Sequence, residues 1–318
     1  MNAIVFASTP AFRESHPDPE PGPGEVVVKV SLAGICGTDL EIMRGYMEFE
    51  GVLGHEFVGE VVSGPREWQG KRVVSEINCV CGQCDMCHSG LSSHCRRRTV
   101  LGIAGRDGCF ADQVAVPERN LHEVPAAVSD EEAVFAEPLA AALQVIKQCP
   151  IEKRMRVSVI GSGRLGLLTA QVLHVVGCKL DVIGRNRHTL TFCEKKGIQS
   201  IHVDDLVPRA DRDVVVDCTG DPAGLELACQ VVRPRGTIVL KSTCAGAEKL
   251  NLAPIVVNEI TVLGSRCGPL AEALGALARK EIDVQSMITK QLPLRRGVEG
   301  LKLAGEPEHL KVILKPGH

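Results

Sequence analysis

The stretch Val157-Ser-Val-Ile-Gly161-Ser-Gly163-Arg164-Leu165-Gly166 is followed by the apolar run Leu-Leu-Thr-Ala-Gln-Val-Leu. These residues predict a buried strand, a Gly-x-Gly-x-x-Gly turn and a helix, in that order. The glycines permit a tight turn and a close approach of the backbone to a pyrophosphate, and the helix N-terminus supplies unpaired N–H groups. The stretch therefore predicts a dinucleotide site, with Gly161, Gly163, Arg164, Leu165 and Gly166 as cofactor-binding residues. The alternative is a strand-to-helix turn that binds no ligand.

Further buried strands alternate with helical stretches after this turn. The strands are predicted at residues 157–160, 180–183, 214–217, 237–240 and 260–263. This alternation is typical of a doubly wound parallel sheet, which binds ligands at the carboxyl ends of its strands. Thr219 and Arg266 follow two of these strands and are secondary candidates for cofactor contacts, although loop packing explains them nearly as well.

The residues after the second of these strands bear on the choice of cofactor. An acidic residue that would bind a ribose 2′-hydroxyl is replaced by Gly184, and Arg185, Asn186 and Arg187 follow it. An acid would repel a 2′-phosphate, whereas Gly184 makes room for one and either arginine can offer a charge-assisted contact. The sequence therefore favours NADP over NAD. A solvated basic loop is the alternative, and Asp181 is a less well placed candidate for the missing acid.

The first 125 residues predict a mainly β region, because their short apolar runs lie between glycines and prolines without a helical period. Ser129-Asp-Glu-Glu then predicts a capped helix that continues through residues 133–147 and bridges two domains. We expect a first domain of residues 1–150, a nucleotide-binding domain of residues 151–266 and a segment of residues 267–318. The run 309–314 in that segment could return as a strand to the first domain.

Length and composition exclude several classes of protein. The 318 residues favour two domains, and 36 Lys and Arg against 39 Asp and Glu leave no positive excess for nucleic acid. Nine aromatic residues also argue against a base-stacking surface. No signal peptide or run of about 18 apolar residues is found, so we expect a cytoplasmic protein without a membrane partner. Fourteen cysteines in a reducing compartment indicate metal binding rather than disulfides.

Four of these cysteines have the spacing of a metal site. Cys81, Cys84, Cys87 and Cys95 are separated by three, three and eight positions. Four thiolates in one short lobe suit tetrahedral zinc and leave no position for a substrate, so this site would be structural and would lie in a lobe of about residues 79–95. The alternatives are a coincidental set of buried thiols, or Cys79 in place of one of the four.

A second, dispersed set of ligand-type residues consists of Cys36, His55, Glu56 and Glu137. A thiolate, an imidazole and a carboxylate are good zinc ligands, and three protein ligands with an open fourth position make a catalytic site. Such a site polarises an alcohol or carbonyl oxygen. Taken singly, each residue is better explained as part of the core than as a metal ligand.

Together these residues resemble the zinc-dependent medium-chain dehydrogenase/reductase family, which includes alcohol, sorbitol, threonine and glucose dehydrogenases. The resemblance covers essentially the whole chain. It implies an α/β protein with a GroES-like β-rich catalytic domain, a Rossmann cofactor domain and a C-terminal segment that rejoins the first domain. It also implies two zinc ions per chain, a homodimer or homotetramer, and hydride transfer between NADP(H) and a polyol, sugar or secondary alcohol or ketone.

The resemblance assigns roles to residues of the dispersed set. Cys36 and His55 correspond to catalytic-zinc ligands, and the Glu-Pro pair at Glu137 resembles the polyol and sugar branch, in which Glu56 or Glu137 completes the site. Asp39 matches the carboxylate that fixes the tautomer of His55. An ordinary helix-capping role for Asp39 remains open.

Thr38 matches the family's hydroxyl that takes the proton from the alcohol. Many members continue the proton path through a histidine, but this chain has Glu41 at that position, as either a relay base or a solvated side chain. Two other functions remain open at this stage. One is a non-catalytic NADP-binding redox sensor whose thiols release zinc on oxidation, and the other is a zinc-free quinone or enoyl reductase on the same fold.

Overall fold

The computed structural model describes residues 1–241, 243 and 251–317 of the chain. They divide into two compact units. The first contains Met1–Glu137, Leu270–Lys280 and the C-terminal residues from Val284 onward, and the second contains Pro138–Pro269 with Glu281–Asp283. The chain passes from the first unit to the second after residue 137 and returns to the first after residue 269, whereas the sequence predicted boundaries at 150 and 266. No helix among the described residues is long and apolar enough to span a membrane.

The first unit is rich in strands. In chain order its N-terminal part comprises β1 (Ala3–Phe6), β2 (Pro10–Arg13), β3 (Glu25–Gly34), α1 (Gly37–Met43), β4 (Gly51–Val52), β5 (Glu56–Ser63), β6 (Arg72–Ser75), β7 (Asn78–Cys79), α2 (Asp85–His88), β8 (Thr99–Val100), β9 (Gln113–Pro117), β10 (Leu121–Glu123) and α3 (Asp130–Ala133). Helix α4 (Ala136–Gln148) follows and continues into the second unit.

Helices α3 and α4 replace the single helix that the sequence predicted. The Ser129 hydroxyl accepts from the backbone N–H of Glu132, and the Glu132 carboxylate accepts from the N–H of Ser129, so the predicted capping box is present. Residues 134 and 135 then leave the helix. Pro138 explains the break, because a proline has no N–H for the carbonyl four residues earlier and is tolerated only in a first helical turn.

The second unit is built on one parallel sheet. Its elements are β11 (Arg156–Ile160), α5 (Arg164–Val176), β12 (Lys179–Gly184), α6 (Arg187–Lys195), β13 (Gln199–His202), β14 (Arg212–Asp217), α7 (Pro222–Val231), β15 (Val232–Leu240), α8 (Ala253–Val257) and β16 (Thr261–Gly264). The strand order β13-β12-β11-β14-β15-β16 reverses between β11 and β14. The predicted doubly wound sheet is therefore confirmed. Strand β13 was not predicted, because the sequence Gln-Ser-Ile-His is a short and partly polar edge.

The chain then completes the first unit with α9 (Leu270–Ala278), β17 (Ile288–Pro293), α10 (Gly297–Ala304) and β18 (Lys311–Lys315). Strand β3 lies at the centre of the main sheet of this unit, where it pairs with β5 along one edge. Along its other edge it pairs first with β9 and then, at Ala33 and Gly34, with β18. The C-terminal strand therefore lies on the opposite side of β3 from the start of β5, with Gly34 between them.

Candidate functional site

The first part of the candidate site is the N-terminus of α1. The backbone N–H of Cys36 donates to Oδ2 of Asp39 at 2.8 Å, which caps the helix. Asp39 is fully buried. Thr38 lies in the first turn, and its hydroxyl oxygen is 3.8 Å from Sγ of Cys36. The cap therefore places a thiol, a hydroxyl and a buried carboxylate within four residues.

The second part is the segment that leads into β5. His55 is 3% exposed, and its Nδ1 lies 3.4 Å from Oδ1 of Asp39. Burial by itself lowers the pKa of His55, but the adjacent Asp39 carboxylate and the Cys36 sulfur together outweigh it, so the pKa is raised well above its usual value. Asp39 thus contacts the backbone of Cys36 with one oxygen and faces the ring of His55 with the other. Both interpretations of Asp39 from the sequence, as a helix cap and as the partner of His55, agree with this geometry.

Glu56 is buried beside His55 and is paired with Lys311 from the C-terminal strand. The Nζ atom of Lys311 contacts Oε2 of Glu56 and lies 5.2 Å from the centre of the Phe135 ring. Sequence reasoning missed Lys311. The available signal was a lysine inside the apolar run Leu310-Lys-Val-Ile-Leu, because a charge in a buried strand requires a partner.

Donor atoms of Cys36, His55 and Glu56 all lie within 4.8 Å of one another. Glu137 is not part of that group and lies in the first turn of α4. One sulfur, one nitrogen and one carboxylate oxygen suit zinc, and three such ligands leave a coordination position open. These residues fit a catalytic zinc ion, with Glu56 rather than Glu137 as the carboxylate that the structure brings to the group.

Glu41, the other predicted proton-transfer residue, lies on the same short helix. Its Oε1 accepts from Nη1 of Arg44 at 2.5 Å, and its side chain is 20% exposed. This ion pair joins positions one helical turn apart. The structure thus gives Glu41 a cationic partner that the sequence analysis did not consider.

The four predicted structural ligands form a single cluster. The sulfur atoms of Cys81, Cys84, Cys87 and Cys95 all lie within 4.8 Å of one another, and Cys95 is buried. The closest sulfur pairs are 3.5 and 3.6 Å apart. Gly82, with φ of +72°, provides the left-handed turn between the first two cysteines. A set of four thiols at this spacing fits tetrahedral zinc.

Backbone and side-chain donors surround these sulfur atoms. The N–H of Gln83 donates to Sγ of Cys81 at 3.4 Å and is the main reason that the pKa of this thiol is lowered to about 6. Nη2 of Arg97 donates to the same sulfur at 3.5 Å. Cys79 is not part of the cluster, and burial raises the pKa of its thiol. The structure therefore does not support Cys79 as a substitute ligand.

The glycine turn after β11 has the geometry of a phosphate site. Gly161 has φ of +102°, and a Cβ on Gly166 would lie 1.8 Å from the carbonyl oxygen of Gly161. A Cβ on Gly163 would meet nothing within 4 Å, so the backbone there faces open space. Arg164 and Leu165 begin α5, whose first N–H groups point out of the helix. The turn is therefore shaped for an anionic ligand.

At the end of β12, Gly184 is a position that admits no side chain. A Cβ there would lie 2.3 Å from Oγ of Ser162, whose hydroxyl is hydrogen-bonded to Thr189 at 2.6 Å. Asp181 is buried and its carboxylate accepts hydrogen bonds from Ser158 and Arg212. The structure therefore removes Asp181 as a candidate for the acid that would bind a ribose.

Of the three residues after Gly184, Arg185 and Asn186 connect β12 to α6, and Arg187 is the first residue of that helix. The guanidinium of Arg185 lies 3.8 Å from the Asp221 carboxylate and is 77% exposed. Arg187 lies 3.4 Å from Asp205. Asn186 caps α6 by accepting from the N–H of His188. Both predicted arginines therefore lie close to the end of β12, Arg185 in the connection to α6 and Arg187 at the start of that helix.

Thr219 and Arg266 lie at the carboxyl edge of the same sheet. The N–H and hydroxyl of Thr219 both donate to Oδ1 of Asp217, at 2.9 and 2.8 Å. The carbonyl of Arg266 accepts from the ammonium of Lys241 at 2.8 Å. Sequence reasoning did not find Lys241, which follows β15 directly.

Comparisons with known proteins agree with this architecture. Residues 22–126 match the alcohol dehydrogenase GroES-like domain family, and residues 165–280 match the zinc-binding dehydrogenase family. The sorbitol dehydrogenase of Halalkalibacterium halodurans is 30% identical, with 95% of each chain covered. A zinc-binding dehydrogenase from Sinorhizobium meliloti 1021, solved with NADP, has a TM-score of 0.90 at 27% identity over 99% of each chain. An alcohol dehydrogenase from Escherichia coli CFT073, solved with NADH, has a TM-score of 0.88 at 27% identity over 99% of each chain.

The fold, the two metal-ligand sets and these relatives define a zinc-dependent oxidoreductase that acts on CH–OH groups. The chain belongs to the zinc-dependent medium-chain dehydrogenase/reductase family. A non-catalytic sensor or a zinc-free reductase is accordingly not favoured.

Proposed function

We propose that this enzyme transfers a hydride between NADP(H) and a polyol, a sugar or a secondary alcohol or its ketone. The observation that supports this most directly is the group of Cys36, His55 and Glu56 donors within 4.8 Å, with the Thr38 hydroxyl beside Cys36. The similarity to a sorbitol dehydrogenase over 95% of the chain supports a polyhydroxylated substrate.

Two zinc ions per chain are part of the proposal. Cys36, His55 and Glu56 would hold the catalytic ion, with Glu137 as the alternative third ligand, and Cys81, Cys84, Cys87 and Cys95 would hold the structural ion. When bound, the catalytic ion supplies Lewis acidity for the substrate oxygen, and the nicotinamide accepts or gives the hydride.

The chain's own residues would then orient ligands and move a proton. Thr38 accepts the hydroxyl proton, because its oxygen lies 3.8 Å from the Cys36 sulfur and thus beside the metal group. Asp39 fixes the orientation of the His55 ring from 3.4 Å. Glu41, which pairs with Arg44, continues the proton path from the same helix as Thr38.

The proposed preference for NADP is supported by the end of β12. The close approach of Ser162 to Gly184 leaves no space for an acidic side chain that would bind a ribose hydroxyl and repel a 2′-phosphate. Arg185 and Arg187 are within the following three residues and can contact a phosphate. The pyrophosphate would lie on the Gly161–Gly166 turn at the start of α5, with Thr219 and Arg266 at the nicotinamide side.

We also propose that the enzyme is a cytoplasmic homodimer or homotetramer. Strand β16 is an edge of the described sheet, Val262 on it is 38% exposed, and Val256 and Val257 of the preceding α8 are 74% and 79% exposed. An unpaired edge with apolar residues suits pairing with a second copy of the chain. The thirteen described cysteines are free thiols, as a reducing compartment would keep them.

The test is nicotinamide absorbance with zinc-loaded protein, NADP+ or NAD+, and a panel of polyols, aldoses, secondary alcohols and L-threonine. We expect turnover with NADP+ and at least one polyol, sugar or secondary alcohol. Turnover with NAD+ but not with NADP+ would overturn the assignment of Gly184 and Arg185 to a site that prefers NADP. An inactive zinc-loaded protein that releases zinc on mild oxidation would support the redox-sensor alternative instead.

A further inference from the structure

The side chain of Lys241 is buried at the carboxyl end of the nucleotide sheet. It is 8% exposed, and its ammonium donates to the carbonyl oxygens of Ala141 and Arg266 at 2.7 and 2.8 Å and to Oγ of Ser265 at 3.3 Å. An ammonium has three N–H donors, so three acceptors match its hydrogen-bonding capacity. A buried ammonium that donates to three acceptors is held in one position by its hydrogen bonds.

Lys241 joins segments that are far apart in the chain. Ala141 belongs to α4, and Ser265 and Arg266 belong to the segment after β16. The backbone N–H of Lys241 donates to the carbonyl of Asp217 at 2.9 Å, which adds the end of β14. A Cβ on Gly268 would lie 1.9 Å from the carbonyl oxygen of Ala140, so the segment after β16 lies directly against α4.

The strand order indicates which part of a dinucleotide would lie near Lys241. The order reverses between β11 and β14, and a dinucleotide crosses a doubly wound sheet at this point. The pyrophosphate turn follows β11, and Gly184 at the end of β12 marks the adenosine half. The nicotinamide half would then lie across the ends of β14, β15 and β16, where Lys241, Ser265 and Arg266 lie.

We propose that Lys241 is a positioning residue for the nicotinamide half of the cofactor. Its ammonium holds the Ser265 hydroxyl and the Arg266 carbonyl next to α4 and thereby fixes the protein surface on which the nicotinamide rests. Lys241 acts through this segment and makes no contact with the cofactor in this proposal. The inference rests on the proposed function, because it requires a dinucleotide at this edge of the sheet.

The experiment compares two ligands that differ by the nicotinamide. The dissociation constants of NADPH and of 2′-phospho-ADP-ribose, which lacks the nicotinamide, are measured for the wild type and for Lys241→Met, which keeps the apolar stem. We expect NADPH binding to weaken about tenfold or more in the variant, as for the loss of hydrogen bonds from a charged group. Binding of 2′-phospho-ADP-ribose should stay within about twofold, because the adenosine and pyrophosphate contacts are intact.

Two further variants control for stability and for general charge. Lys241→Gln retains N–H donors and should recover part of the NADPH affinity, and it replaces the methionine variant if the latter does not fold. Lys179→Met removes an exposed lysine from the amino end of β12 in the same sheet and should change neither constant. If Lys241→Met weakened the binding of both ligands equally, or of neither, the inference about Lys241 would be overturned and the proposed function would stand. A wild-type protein that binds neither ligand would overturn the proposed function and this inference with it.

Discussion

The ammonium of Lys311 contacts Oε2 of Glu56, although the two residues lie 255 positions apart in the chain. Their side chains are 2% and 1% exposed. Gly34, in the strand between them, provides the space, because a Cβ there would lie 2.7 Å from both Oε2 of Glu56 and Cε of Lys311. One oxygen of a candidate metal ligand is therefore held by a buried cation from the C-terminal strand.

Removal of the cation should strongly destabilise the first unit. Lys311→Met leaves the Glu56 carboxylate buried without its partner, and breaking such a pair costs about 3–5 kcal/mol. We expect this loss in the free energy of unfolding measured by chemical denaturation. Lys311→Met combined with Glu56→Gln should recover part of it, since no unpaired charge remains. Lys315→Met removes an exposed lysine from the same strand and serves as the control. A single variant as stable as this control would contradict the argument.

The group of Cys36, His55 and Glu56 predicts that a variant of one of its ligands loses one of the two zinc ions. Cys36→Ser replaces the sulfur ligand and should abolish turnover while the zinc content falls from about two to about one per chain. Metal analysis after dialysis, together with the activity assay, measures both effects. Cys178→Ser, which changes a thiol of the second unit, should leave both values unchanged. Retained turnover in Cys36→Ser would exclude the proposed zinc mechanism.

The four-thiol cluster predicts the converse pattern. Cys95→Ser should also reduce the zinc content to about one per chain, but it should lower the melting temperature, because a structural zinc ion stabilises the lobe that it binds. Any residual turnover should come from molecules that remain folded. Cys79→Ser is the matched control, since this buried thiol lies outside the cluster, and its zinc content should stay at about two. Loss of zinc in the control would identify Cys79 as a ligand.

The parts of this site that could be predicted from the sequence are those whose residues lie close together in the chain. The glycine turn occupies six positions and the four cysteines occupy fifteen, so local backbone geometry brings each set together. The choice between Glu56 and Glu137 and the roles of Lys311 and Lys241 depend on tertiary packing. Lys311 reaches Glu56 only because β18 pairs with the end of β3, and no local pattern specifies that pairing. The same limit applies to Ser162, whose contact with Gly184 crosses two strand ends.

Contact between Ser162 and Gly184 predicts how the cofactor preference can be changed. Gly184→Asp alone should weaken binding of both NADP and NAD, because the new Cβ would lie 2.3 Å from the Ser162 hydroxyl. Combining it with Ser162→Gly provides space, and the double variant should then favour NAD. Arg185→Ala should weaken NADP binding about tenfold and leave NAD binding nearly unchanged, because only NADP carries the 2′-phosphate. Ratios of kcat/KM for the two cofactors test all three variants. If Arg185→Ala lowered kcat/KM equally for both cofactors, the assignment of Arg185 to the 2′-phosphate of NADP would be contradicted.

The ion pair of Glu132 with Lys280 predicts a pH-dependent contribution to stability within the first unit. Both Glu132 carboxylate oxygens lie 2.7 Å from Nζ of Lys280, and one accepts from the N–H of Ser129. Burial by itself raises the pKa of Glu132, but these donors outweigh it and the pKa is lowered.

Because the folded-state pKa of Glu132 lies below that of the unfolded chain, the unfolded chain binds more protons in the acidic range. The contribution of Glu132 to stability is therefore fully present above the unfolded-state pKa and is lost as the pH falls through the folded-state pKa. Glu132→Gln should reduce the free energy of unfolding by about 1–2 kcal/mol at pH 7 and by progressively less below about pH 4. Denaturation curves recorded from pH 7 to pH 3 measure this. Glu131→Gln removes the same charge from the preceding position and should give a curve close to that of the wild type. If the wild type and Glu132→Gln differed by the same amount at every pH, the ion pair would not be the source of the stabilisation.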